Sequence, residues 1–203
     1  MTFMVGHKFP DVKLQTVMGN GEIKQVSVTE HAKGKYAVVF FYPLDFTFVC
    51  PTEILAFDKA HDEFKKRGVE LFGASVDSQF SHFAWRETSL EKGGIGPVKF
   101  PLLADLERKL SSELGILTGG VTFRASYLID KKGVVRHMVI NDLPLGRSVD
   151  EMLRMVDALQ FHEEHGEVCP ANWHKGDEAI KPTSASTGAY LAKKHGAKKG
   201  AAA

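Results

Sequence analysis

The chain has 203 residues, 43% of them hydrophobic and 25% charged, with 26 Lys and Arg against 25 Asp and Glu. That is the size and makeup of one globular domain with a sizeable core plus an extension. A formal net charge of +1 gives no electrostatic reason to expect nucleic acid or an anionic membrane as the main partner. No apolar run approaches a membrane span, and Met1-Thr2-Phe3-Met4-Val5-Gly6-His7-Lys8 lacks the apolar core of a secretion signal, so the expected compartment is the cytoplasm. Two cysteines are too few to staple a secreted scaffold. In a reducing compartment they are expected to be catalytic or redox-sensing.

Residues 11–28 read as a hairpin, in which Val12, Leu14 and Val17 lead through Gly19-Asn20-Gly21 to Ile23, Val26 and Val28. The apolar run 37–42 follows and reads as a strand buried on both faces. After Cys50-Pro51, Ile54, Phe57, His61 and Phe64 recur at helical spacing, predicting a helix to about Arg67 with Gly68 just past its end. Val69–Val76 is the next strand. Residues 78–92 have a helical pattern with Phe80, Phe83, Ala84 and Leu90 on the expected inner side, and Gly93-Gly94-Ile95-Gly96-Pro97 breaks it. A short strand at 100–103 and a short helix at 106–114 come next. A second hairpin, 125–129 with 134–140, turns at Lys131-Lys132-Gly133. Ser148-x-x-Glu151 is a capping box opening a helix that Gly166 ends. From Lys193 onward a Lys/Ala/Gly-rich stretch reads as a solvated, mobile tail. Alternating strands and helices predict an α/β protein with a mixed central sheet flanked by helices.

The stretch Tyr42-Pro43-Leu44-Asp45-Phe46-Thr47-Phe48-Val49-Cys50-Pro51-Thr52-Glu53 concentrates the chemistry. Cys50 falls at or next to the start of a helix, where unpaired N–H groups and the positive end of the dipole favour an anion. A cysteine so placed carries more of the nucleophilic thiolate, and Thr47 offers it a hydroxyl. Read alone, a cysteine is more often a small buried hydrophobe. The spacing Pro43, Thr47, Cys50 and the sequence Phe-Val-Cys-Pro-Thr-Glu decide between the two. They resemble the active-site motif of the peroxiredoxins, in particular the typical 2-Cys, alkyl hydroperoxide reductase C type.

The resemblance spans about residues 6 to 182 and implies a thioredoxin-like fold. It implies a peroxidase domain over residues 1–166 and, over 167–203, a C-terminal arm carrying a resolving cysteine and a flexible basic tail. It implies that Cys50 attacks hydrogen peroxide and organic hydroperoxides, and that Arg124, in Gly120-Val121-Thr122-Phe123-Arg124-Ala125-Ser126, joins Thr47 in stabilising the transition state while Pro43 shields the sulfur. Glu53 and Arg147 would orient Arg124, and Trp85 would pack near the site. Taken without the resemblance, Arg124, Glu53 and Arg147 read as solvated surface charges and Trp85 as a core aromatic.

Cys169, in Glu167-Val168-Cys169-Pro170, matches the resolving segment. By resemblance it would act across a head-to-tail homodimer, in a family that commonly forms decamers, with thioredoxin or a flavoprotein disulfide reductase as electron donor. No metal or organic cofactor is implied. His162, His165, Cys169 and His174 cluster as a zinc-like alternative, disfavoured by the single thiolate. The remaining histidines, His82 among them, show no converging pattern. Gly93-Gly94-Ile95-Gly96 resembles the loop of overoxidation-sensitive members, but Tyr190-Leu191 replaces their Tyr-Phe pair, which predicts intermediate sensitivity. The competing functional classes are a holdase or redox relay, of which a holdase would outlast loss of Cys50, and a binding module without peroxide turnover.

Overall fold

The structure is a computed structural model, and it describes residues 3–196; Met1, Thr2 and residues 197–203 lie outside the description, and with them most of the expected tail. The chain divides into two compact units, Met1–Met152 and Leu153–Ala203.

The first unit is built on a seven-stranded mixed sheet. Its strands are β1 (Leu14–Val17), β2 (Ile23–Val26), β3 (Tyr36–Phe41), β4 (Val69–Ser75), β5 (Leu102–Ala104), β8 (Arg124–Ile129) and β9 (Val135–Asn141), in the spatial order β2-β1-β5-β4-β3-β8-β9. β3, β4 and β5 run parallel; the outer pairs are antiparallel. The central strands are apolar on both faces because both are covered. Val39, Phe41, Phe72, Ala74, Tyr127 and Ile129 join one core cluster with α5 (Lys109–Leu114). On the other face Phe40 stacks on Phe57 of α2 (Cys50–Lys59) at 4.1 Å and meets Phe100 edge-on at 5.5 Å. Gly73 sits in this crowded layer: a Cβ there would lie 2.9 Å from Leu102 Cδ2 and 3.1 Å from Phe40 Cζ.

The first hairpin turns where expected, with Gly21 N–H donating to Met18 O at 2.8 Å. The helix expected over 50–67 is two. α2 stops at Lys59, Ala60 takes φ −87° and ψ 0°, and α3 (His61–Lys66) follows, so one apolar period runs through a break. Gly68 adopts φ +66° past the end of α3, as its position predicts.

α4 (Gln79–Glu87) overturns the expected inner face. Phe80, Phe83 and Leu90 are 69%, 39% and 60% exposed, while His82, Trp85 and Arg86 are buried. Hydropathy misleads here because most of the inward polar atoms find partners: Trp85 Nε1 donates to Gly93 O at 2.8 Å and Arg86 Nη2 to Gly19 O at 2.9 Å, while Arg86 Nε stays buried without one among the described residues. The helix ends at Glu87, and only a 3₁₀ turn remains at Leu90–Lys92. Three small elements carry no strong sequence period: α1 (Val28–His31) and the ribbon β6 (Leu117–Thr118) with β7 (Val121–Thr122).

α6 (Val149–His165) starts with Ser148 Oγ accepting the Glu151 N–H at 3.1 Å, one half of the expected capping box, and ends at Gly166 with φ +70°. Within the second unit Val168 bridges Ile180, and the buried Trp173 ring lies 4.9 Å from Phe161. α7 (Ser184–His195) is capped by Thr183, and Lys193 reaches Glu178 at 2.7 Å. The start of the expected mobile tail, Lys193–His195, is thus the last turn of a helix.

Candidate active site

β3 delivers the chain to the site. Tyr42 N–H still donates to Ala74 O at 2.9 Å, and buried Pro43 then turns the backbone out of the sheet. Phe46 adopts φ +53°, a left-handed conformation strained for so bulky a residue, and its ring leans on Trp85 at 5.6 Å. This bend brings Cys50 to the first residue of α2, after Val49 at the cap and before Pro51. Pro51 therefore occupies the second helical position rather than the first, where its missing N–H is equally harmless. No side chain caps the helix, so the thiol faces its positive end without a competing carboxylate at the cap.

The Cys50 side chain is fully buried. Thr47 Oγ1 lies 2.9 Å from Sγ and 2.8 Å from Leu44 O. One hydroxyl has one proton, so the two contacts cannot both be donated by Thr47 at once. With a thiol, S–H donates to Oγ1 and the hydroxyl to Leu44 O; with a thiolate, the hydroxyl turns its proton to the sulfur.

Arg124 Nη1 lies 3.4 Å from Sγ and 2.7 Å from Glu53 Oε2, while Nε donates to Leu143 O at 2.6 Å. Burial disfavours its charged form, but the bonds and charges of Cys50 and Glu53 outweigh that and hold the guanidinium above its ordinary value. Nη2 has no hydrogen-bond partner among the described residues.

Glu53 holds two arginines at once. Arg147 grips it with Nε on Oε1 at 2.8 Å, Nη2 on Oε2 at 2.9 Å and its own backbone N–H on Oε1 at 2.9 Å. Arg147 Nη1 also donates to Phe41 O and Ala125 O. The three side chains are at most 5% exposed. Burial works against the Glu53 carboxylate, yet the Arg147 hydrogen bonds and the two positive charges prevail and hold it below the usual carboxylate range. Arg147 is pulled down by burial, with Glu53 opposing and Arg124 adding to the fall.

Thr47, Cys50, Glu53, Arg124 and Arg147 therefore converge, and Trp85 braces the loop through Phe46. A neighbouring network was missed in the sequence. His82 Nε2 faces Leu103 O at 3.1 Å and so carries a proton; its Nδ1 faces Asp45 Oδ2 at 2.8 Å, and Asp45 also accepts from the hydroxyls of Tyr42 and Ser81. Nearby Asp77 is raised by burial and by the Asp45 charge, with Ser75 opposing. No local sequence signal pointed to it, because the hydropathy of this helix places the opposite face inward.

Cys169 is half-buried, with Sγ 3.6 Å from Ala158 O, and burial pushes its thiol up while the Arg154 charge opposes. His162, His165 and His174 each turn Nδ1 to a backbone carbonyl, and among the described residues no three His, Cys, Asp or Glu side chains are grouped to hold a metal.

Residues 5–138 match the model of the AhpC/TSA family, and residues 158–193 that of the C-terminal domain of 1-Cys peroxiredoxin. Peroxiredoxin-2 of Macaca fascicularis is 51% identical over 191 residues, covering 93% of this chain and 96% of its own. Peroxiredoxin-2 of Bos taurus is 52% identical, with 93% and 95% covered. The crystal structure of reduced Plasmodium vivax 2-Cys peroxiredoxin superposes with a TM-score of 0.91 at 48% identity, covering 94% of this chain and 99% of that one. The thioredoxin-like fold expected from the sequence is the fold these neighbours share.

Proposed function

We propose, from the premise that this chain belongs to the peroxiredoxins of the AhpC/TSA family, that Cys50 is the peroxide-attacking thiolate and Cys169 the thiol that resolves it. The chain is a thiol-dependent peroxidase. The observation that carries the assignment of Cys50 is the convergence on its sulfur of the Thr47 hydroxyl at 2.9 Å and the Arg124 guanidinium at 3.4 Å.

The Cys50 thiolate attacks one peroxide oxygen, the O–O bond breaks, and the leaving oxygen takes a proton to depart as water or an alcohol. Sulfur is oxidised to the sulfenic acid. Negative charge spreads over sulfur and both oxygens on the way, and donors fixed in advance stabilise that charge most. Thr47 and Arg124 supply them, with the unpaired Arg124 Nη2 free to meet an oxygen, and Glu53 and Arg147 hold Arg124 in place. Pro43 shields the sulfur from bulk water. The Cys169 thiolate then attacks the Cys50 sulfur, forming a disulfide and expelling hydroxide, which takes a proton from solvent to leave as water, and an external dithiol reduces the bridge by exchange. Thioredoxin or a flavoprotein disulfide reductase fits that role.

Residues 1–166 act as the peroxidase domain and 167–203 as the arm that presents Cys169. The arm acts on a partner copy in a homodimer, assembling to a decamer in the cytoplasm. Exposed Phe46, Phe48, Phe80 and Phe83 and the edge of β9 beyond Val135, which no strand among the described residues pairs, support self-association. No helix among the described residues is long and apolar enough to cross a membrane.

Intact-mass measurement after one equivalent of peroxide tests the pair of thiols. The expected result is a dimer linked Cys50–Cys169, no oxidation in Cys50→Ser, and an oxidised monomer in Cys169→Ser. A Cys169→Ser enzyme that still forms the dimer would remove Cys169 from its role.

The C-terminal helix bears on inactivation by excess peroxide. Tyr190 lies in α7 with Leu191 beside it, 49% exposed. Leu191→Phe is expected to inactivate at lower peroxide than the natural chain, read as turnovers completed before activity is lost.

A further inference from the structure

A cavity of about 430 Å³ lies at the opposite end of β3 from Cys50. Its floor is the open end of the main core: Phe9, Val28, Ala32, Ala37 and Ile129 all belong to the buried cluster and all line the cavity. Lys8, Lys33, Lys35, Lys131 and Lys132 stand around it, against Asp11 and Asp130. Asp130 is buried and Asp11 exposed, and each already accepts hydrogen bonds. Asp11 accepts from Ser27 and Thr29, and Asp130 from Arg136 Nε and the N–H groups of Lys132 and Val134.

Three of the lysines are also engaged. Lys8 Nζ donates to Lys132 O, Lys35 reaches Glu70 at 2.5 Å, and Lys131 sits 5.0 Å above the Tyr36 ring. The ammonium groups of Lys33 and Lys132 have no partner among the described residues, and both side chains are exposed. The site therefore combines an apolar floor, a volume within the range of small-molecule pockets (about 300–1,000 Å³), and two cations on its rim without counter-ions.

We propose that this cavity binds a medium-chain fatty carboxylate, its acyl chain on the Phe9–Val28–Ile129 floor and its carboxylate between Lys33 and Lys132. A carboxylate suits two separate ammonium points, which pair as charges without needing a planar fork. A nucleotide base is less well served, since the floor is aliphatic apart from Phe9. The site is separate from the peroxide chemistry. β3 runs from Ala37 at the cavity to Tyr42 before the active-site loop, about 16 Å at the usual rise per strand residue, so ligand and peroxide do not compete.

The test is calorimetric titration of the intact, reduced protein with dodecanoate below its micelle concentration. One molecule per chain is expected to bind. Decanoate should bind about fifteenfold more weakly, at about fourfold per methylene buried, and dodecyltrimethylammonium should not saturate the site. The double variant Lys33→Glu/Lys132→Glu, at two exposed positions outside the catalytic machinery, is expected to lose about tenfold in affinity with peroxide turnover unchanged. Ala32→Leu, which fills the floor while leaving the lysines, should abolish binding; should it not fold, the lysine pair decides. Absence of saturable binding, equal affinity for the cationic chain, or dodecanoate binding undiminished in the double variant would each overturn the proposal. The last outcome would place the ligand on the exposed phenylalanines instead.

Discussion

Replacing Glu53 with alanine is expected to destabilise the fold by about 3–5 kcal/mol, the usual cost of breaking a buried ion pair from one side. Glu53 is the shared anion of Arg124 and Arg147, and its removal strands two guanidinium groups that are at most 5% exposed. Denaturant unfolding at fixed protein concentration, with both cysteines reduced, measures the loss. Glu53→Gln keeps an acceptor for Arg147 while removing the charge, so it should fall between the alanine variant and the natural chain. An alanine variant within about 1 kcal/mol of the natural chain would mean that the triad is solvated in solution and that Arg124 is not held by it. The pH dependence has a definite sign. The folded carboxyl lies below its ordinary 4.5, so its contribution is complete above that value and is lost as pH falls below it through the folded value.

Arg124→Ala is expected to lower the second-order rate constant for peroxide by about 10²–10³, the range for deleting one fixed donor to a developing anion. Its effect on stability should be smaller than that of Glu53→Ala, because Glu53 keeps three hydrogen bonds from Arg147. That split between rate and stability separates a donor to the reacting atoms from a structural cation. Arg124→Lys should recover only part of the rate. A single ammonium cannot reach Cys50, Glu53 and Leu143 O together in the manner of the planar guanidinium. Stopped-flow measurement of Cys50 oxidation under pseudo-first-order peroxide checks it.

The parts of this architecture that were legible in the sequence are those with local periods. β3 and β4 announce themselves as apolar runs, Gly19-Asn20-Gly21 as a turn, and Cys50-Pro51 as a strand-to-helix junction. The triad behind the sulfur has no local signature: Glu53 and Arg147 lie 94 positions apart, and each alone reads as a surface charge. Only the resemblance of their flanking motifs placed them. α4 failed for a physical reason. Its buried face carries His82 and Arg86, whose ring nitrogens and terminal guanidinium nitrogens meet Asp45, Leu103 O, Val98 O and Gly19 O, while phenylalanines stand outside. A hydropathy pattern counts side chains and cannot see the acceptors waiting for them. The Asp45–His82 pair was invisible likewise, since it joins a loop to a helix across 37 positions.

The interruption at Ala60 makes the reactive segment separable. Under the proposed resolution by Cys169 the Cys50 sulfur has to leave its burial, and a continuous helix to Lys66 would resist fraying along its whole length. With the helix interrupted at Ala60, the Cys50 end of α2 can loosen while Phe57 and, on α3, Phe64, both buried, stay packed. In deuterium exchange, the amides just after Pro51 are expected to open more readily than those of α3, which would let the oxidised sulfur of the proposed cycle be exposed and reburied without global unfolding.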